Sequence, residues 1–100
     1  MDFKIIFKDT FIADLEHIVR RIAHDNPAAA EKLGNRIIQI AESLSFFPER
    51  FPTVRQRPGV RRFVAGRYFK AFYCVHDDTK TVEILRCWDG RRESDPPFDQ

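Results

Sequence analysis

Apolar residues first recur at every second position: Phe3, Ile5 and Phe7 alternate with Asp2, Lys4, Ile6 and Lys8. That is the period of a strand with one apolar face, predicted over 2–8. From Thr10 the period changes. Phe11, Leu15, Ile18 and Ile22 recur at three and four, with Asp14, Glu16, His17, Arg20 and Arg21 between them, which predicts an amphipathic helix over 10–25. Asn26 is placed to cap a second helix whose first residue, Pro27, has no N–H to leave unsatisfied. Ala30, Leu33, Ile37, Ile40 and Leu44 carry that helix over 27–45, and the short link makes the two helices an antiparallel hairpin. Gly34, within the second helix, marks a close approach between the helices.

A loop over 46–59 follows, punctuated by Pro48, Pro52, Pro58 and Gly59 and tied to the core by Phe46, Phe47 and Phe51. Three runs rich in β-branched and aromatic residues come next, over 60–65, 68–76 and 81–88, separated by Gly66 and by Asp77-Asp78-Thr79-Lys80; they read as an antiparallel meander. A two-residue turn, or a four-residue loop of the same register, sets Phe69 opposite Trp88, Tyr73 opposite Ile84 and Val75 opposite Val82, a face turned to the helices. The other face then carries Lys70, Phe72 and Cys74 beside Cys87, Leu85 and Glu83, more apolar than a wetted sheet face, so it awaits a partner. The tail over 93–100, with Pro96-Pro97, is expected to be extended and partly mobile. The fold class is α+β, a single domain over 1–100 of order β-α-α-β-β-β, with an antiparallel sheet packed on one face by a helical hairpin.

Composition adds three constraints. One hundred residues, 43% of them hydrophobic, support one modest core, and a domain that small gains stability from any partner that covers apolar surface. Cys74 and Cys87 lie in no metal-binding or CxxC spacing and are too few for a disulfide framework, so the chain is expected to be reduced and cytoplasmic, without cofactor or metal. No stretch near Met1 is apolar enough for a signal peptide or membrane span. Net charge is only +2, yet no Asp or Glu stands between Glu49 and Asp77, while Arg50, Arg55, Arg57, Arg61, Arg62, Arg67 and Lys70 do. Such a run either makes a positive field for a polyanion or an acidic protein, or simply faces solvent.

Individual residues divide between structural and functional readings. Arg86 falls on the helix-facing side, where Asp14 or Glu16 can pair with it, since a buried arginine persists only when paired. Tyr73 and Trp88 read as core. Arg91 and Arg92 follow Gly90 at a strand end and are placed to grip carboxylates or phosphates with their forked donors.

The element order, the stretch Arg61-Arg62-Phe63 through Arg67-Tyr68-Phe69-Lys70-Ala71-Phe72-Tyr73-Cys74-Val75, the run Val82-Glu83-Ile84-Leu85-Arg86 followed by Gly90-Arg91-Arg92, and the loop from Phe46 to Pro52 together resemble the RelE/ParE toxin family of type II toxin–antitoxin systems. The resemblance is nearest to the ParE-type branch, which includes plasmid stabilisation toxins. It implies a toxin that inhibits DNA gyrase and is neutralised by a ParD-like antitoxin, in a hetero-oligomer, with growth inhibition as the outcome. A RelE-like ribosome-dependent mRNA endoribonuclease is the alternative, and an inactive member that only binds its antitoxin is a third. For a ribonuclease the resemblance assigns basic roles to Lys70, Arg92 and Arg61; Phe98 stands where such enzymes place a tyrosine for proton transfer, and phenylalanine has no proton to offer. Asp89 stands where a histidine is common before the glycine, and a carboxylate there repels phosphate. Partner or target contacts are expected from Arg61, Arg67, Lys70, Phe72, Arg91, Arg92 and Phe98.

Overall fold

The computed structural model describes residues 2–92 and 94–98. Strand β1 (Lys4–Phe7) leads into helix α1 (Asp9–Asp25) and helix α2 (Pro27–Ser43). A 3-10 turn (Pro48–Arg50) precedes β2 (Thr53–Val54), β3 (Arg57–Ala65), β4 (Phe69–His76) and β5 (Thr81–Asp89). The strands form one sheet in the order β1-β5-β4-β3-β2, with the two helices on one face.

The helices form where their apolar spacing places them. The Asn26 side chain accepts the Ala29 N–H at 3.1 Å while Pro27 opens α2, which satisfies one donor the helix cannot satisfy itself. Phe11 and Ile18 of α1, Ile37 and Ala41 of α2, and Leu44 at its C-cap are buried against Phe63, Tyr73 and Ile84 of the sheet. A Cβ on Gly34 would stand 3.3 Å from a Val19 methyl of α1, so the helices do approach closely there.

Three features of the sheet depart from the sequence expectation. First, the sheet is mixed: β1 runs parallel to β5, Lys4 beside Thr81 and Phe7 beside Ile84, while the other pairs are antiparallel. Alternation along one strand shows which side is apolar but not which way its neighbour runs. Second, part of the expected loop is ordered as the 3-10 turn and the edge strand β2, and β3 begins at Arg57. Third, the register of β4 on β5 holds only as far as Tyr73–Ile84 and Val75–Val82, and then shifts by one residue so that Phe72 meets Arg86, Lys70 meets Trp88 and Phe69 meets Asp89.

A bulge that adds a single residue exchanges every later side chain between the faces. Cys87, opposite Ala71, is thereby turned into the helix-facing core, where it is buried. Trp88 is turned out of that core and packs on the far side of the sheet with Val54, Val60, Phe72 and Leu85. Beyond Ile84 β5 has lost β1 as a neighbour, and α1 supplies the missing partners: Thr10 donates its hydroxyl to the Leu85 carbonyl at 2.7 Å, and Asp14 accepts the Cys87 N–H at 3.1 Å.

The far side is not left open. Ser94 to Phe98 run across it: the Trp88 indole N–H donates to the Ser94 carbonyl at 2.8 Å, and the Phe98 ring meets Phe72 edge-on at 5.1 Å. The tail is therefore pinned at 94–98, and the chain itself takes up part of the surface expected to await a partner. The remainder of the tail expectation, at 93, 99 and 100, lies outside the described residues.

Candidate functional site

At the end of β5 the chain makes a turn that depends on one glycine. The Gly90 N–H donates to the Tyr68 carbonyl at 2.6 Å, and a Cβ at this position would come within 2.2 Å of that oxygen. Only glycine lets the turn lie this close to the β3–β4 connection. The contact fixes the directions in which Arg91 and Arg92 leave the sheet.

Arg91 is clasped by Asp89, whose carboxylate accepts from the Arg91 Nε at 3.0 Å, from Nη2 at 2.6 Å and from the Arg91 backbone N–H at 3.0 Å. The guanidinium lies 4.1 Å above the Tyr68 ring. Hydrogen bonds from Arg91 hold the Asp89 carboxyl down at about 2, with the positive charge of Arg21 assisting. The carboxylate that stands where a histidine is common is therefore charge-matched within its own turn, and the fork of Arg91 is already filled. Arg92 instead stacks its guanidinium 4.0 Å from the Trp88 ring, an arrangement the outward rotation of Trp88 makes available.

Two residues of α1 complete the site. His17 and Arg21, one helical turn apart, line a concavity of about 420 Å³ with Asp14, Trp88, Asp89, Arg91 and Arg92. Both fall on the polar side of α1 in the sequence pattern, and only the packing of α1 along β5 brings them to the closing turn. Their spacing of four was the one signal available.

The remaining sequence-predicted residues are distributed as follows. Lys70 pairs across with Trp88 on the far face and stands 3.5 Å from Asp95, close beneath Gly90. Arg67 is exposed in the β3–β4 connection. Phe72 is fully buried beneath Phe98, so both rings act as packing. Arg61 sits opposite Tyr73, on the other face from Lys70, and donates to the carbonyls of Glu49 at 3.0 Å and Phe51 at 2.7 Å. The sheet thus separates it from Lys70 and Arg92. Arg86 makes a forked pair with Asp14 at 2.6 and 3.0 Å and donates to the Pro97 carbonyl at 2.9 Å, joining α1, β5 and the tail. The Tyr73 hydroxyl donates to the Pro48 carbonyl at 2.6 Å, and burial pushes its proton affinity up to about 12. Among the described residues, no group of three or more His, Cys, Asp or Glu is arranged to hold a metal ion, and no helix is long and apolar enough to cross a membrane.

A helical hairpin on one face of a mixed sheet whose last strand ends in an arginine-bearing turn is the architecture of the RelE/ParE-type toxins, and solved structures of that class match nearly the whole chain. A chromosomal ParDE toxin–antitoxin system from P. aeruginosa superposes with a TM-score of 0.73 at 23% identity, covering 87% of this chain and 95% of that one. The toxin–antitoxin complex RelBE2 from Mycobacterium tuberculosis gives 0.63 at 26% identity, over 89% and 99%. An archaeal RelE–RelB complex from Pyrococcus horikoshii gives 0.59 at 16% identity, over 94% and 100%. No curated protein matches significantly. The family model of the ParE toxin of the type II toxin–antitoxin system parDE matches residues 5–94, and the chain belongs to that family.

Proposed function

We propose that this toxin acts in the cytoplasm by inhibiting DNA gyrase, and that a ParD-like antitoxin neutralises it by seating an acidic, partly apolar segment against the closing turn. The observation that carries this reading is the chemistry of the turn. Arg21 and Arg92 line one concavity with Trp88 in its wall, beside an Arg91 already held by Asp89, an arrangement suited to gripping a protein partner. Arg67 and Lys70 extend the cationic border. Two of the similar structures are toxin–antitoxin complexes, which supports a protein partner for this chain. Phe98, at the position of the tyrosine that would move a proton, is packed against Phe72 and has none to move.

A second reading, ribosome-dependent mRNA cleavage, is favoured by one observation: His17 lines the same concavity as Arg91 and Arg92, placing an imidazole among the cations and carboxylates of the turn. One preparation decides between the two when titrated into a gyrase supercoiling assay and into a ribosome-loaded mRNA assay. Inhibited supercoiling with intact mRNA is the expected outcome. Cut mRNA that becomes intact again in His17→Ala, with gyrase unaffected, would transfer the function to RNA.

A further inference from the structure

The outer edge of β3 is only partly covered. β2 pairs with it through Thr53 and Val54, and the Arg62 N–H donates to the Pro52 carbonyl at 3.1 Å, so the backbone at Arg62 faces away from β4. Backbone groups alternate sides along a strand, and the N–H and carbonyl of Val64, two residues on, therefore face the same way. The chain that could run alongside them is instead wound into the 3-10 turn (Pro48–Arg50). Among the described residues nothing takes up either backbone group of Val64, which is 51% exposed. An unpaired edge of this kind is a template for one more strand.

Beside that edge runs a groove. Two concavities of about 570 and 360 Å³, joined at Arg36 and Gln39, lie along α2, the first bordered by Gly66 and the second by Phe51 and Val64. Leu33, Ile40 and Phe51 supply apolar lining, and the charges are all positive: Lys32, Arg36 and Arg50 line the groove and no Asp or Glu does. Lys32 and Arg36 are exposed and make no ion pair among the described residues, while Arg50 donates to the neutral oxygens of Ser43 and Phe46. Of the three rings expected to tie the preceding loop to the core, Phe51 packs there and reaches the groove, whereas Phe46 and Phe47 stand exposed. At its other end the groove passes Ala29 into a hollow that shares Arg21, Asp89 and Arg91 with the concavity of the closing turn.

These features define an occupant. An open strand edge accepts an extended peptide backbone, uncancelled cations select carboxylates on it, and a second copy of this chain is disfavoured because it brings the same cations to the same edge. We infer that an extended acidic segment of the antitoxin adds to the sheet as a strand beside Val64, with its carboxylates on Lys32 and Arg36, in continuity with the contact at the closing turn. That the partner is the antitoxin rests on the function proposed above; the open edge and its charge do not.

Two variants test this. Val64→Pro removes the donor, and proline is tolerated where the N–H points out of an edge strand. Lys32→Glu combined with Arg36→Glu reverses the charge of an exposed helix face. Each is expected to fold as the parent does and to bind the antitoxin about tenfold more weakly or worse. The Val64 amide, quick to exchange with deuterium in the toxin alone, is expected to be protected in the complex. Parental affinity in either folded variant overturns the inference, as does an amide equally quick in the complex; should Val64→Pro not fold, the charge reversal and the exchange rate decide. Arg92→Ala separates the two contacts. Binding that it leaves intact and Val64→Pro weakens fails the closing-turn reading and keeps the strand, whereas the opposite pattern fails the strand alone, and no binding by the parent fails both. A parental dimer lost in Val64→Pro would give the edge to a second copy, and oligonucleotide binding lost on charge reversal would give the cations to a nucleic acid; either overturns the inference.

Discussion

Tyr73 and Cys87 are the two buried groups whose protonation the fold depends on. Burial raises both, Tyr73 from about 10 to about 12 and Cys87 from about 9 to about 12, because the low-polarity interior disfavours the anion. A group that holds its proton more tightly when folded contributes stability that is complete below its unfolded value and is lost as pH rises towards the folded one. Stability should therefore fall from about pH 9, where the thiol begins to titrate in the unfolded chain, and more steeply between 10 and 12. In Tyr73→Phe the decline between pH 10 and 12 should flatten, while stability at neutral pH drops by about 1 kcal/mol through the lost bond to Pro48. Urea unfolding across pH checks this, and an unchanged alkaline slope would show that another group controls it.

At the scale of elements, what could be read from the chain and what could not divide at one residue. The helices were legible because each buries a stripe at a spacing only a helix matches, and the Asn26-Pro27 boundary has its own chemistry. The pairing of Arg86 with Asp14 is legible as well, since a cation near the core needs a carboxylate, but its expected place on the helix-facing side is not what is found: the register shift between β4 and β5 sets Arg86 opposite Phe72 and beside Trp88. The exchange of Cys87 and Trp88 between faces was not legible, because Leu85 has the same β-branched and apolar company as its neighbours and nothing in its identity signals an extra residue. The convergence of His17 and Arg21 on the closing turn was likewise out of reach, being a product of how α1 lies against β5. Gly90 marks a strand end in the sequence, but its tight contact with Tyr68 is what makes it irreplaceable. Gly90→Ala should force the turn off the β3–β4 connection and cost about 1–3 kcal/mol, with weakened antitoxin binding as Arg91 and Arg92 move. A denaturation midpoint equal to the parent's would show that the turn yields without strain.

At the scale of the molecule, two apolar layers lie on opposite faces of one sheet. The larger is sealed by helices, and the smaller by a few residues of tail resting on Phe72 and Trp88. Such a thin cover is sensitive to single substitutions. Phe98→Ala should lower stability by about 1–2 kcal/mol and speed alkylation of Cys74, which packs in the same cluster. Fluorescence-monitored denaturation and the rate of thiol labelling report the two effects, and an unchanged labelling rate would mean that the tail does not shield this face.

The parallel pairing of β1 with β5 has a consequence for biosynthesis. The first strand to leave the ribosome can find its partner only once nearly the whole domain has been translated, and Lys4 is matched to Thr81 across almost the entire length of the chain. Contacts this distant in sequence form late and slowly. Until then the helical hairpin has no completed sheet to pack on, and the polypeptide passes through an interval in which it is present in the cell but not yet folded. In a toxin-family chain built in this way, any surface that needs the finished sheet is absent until the last strand has been made.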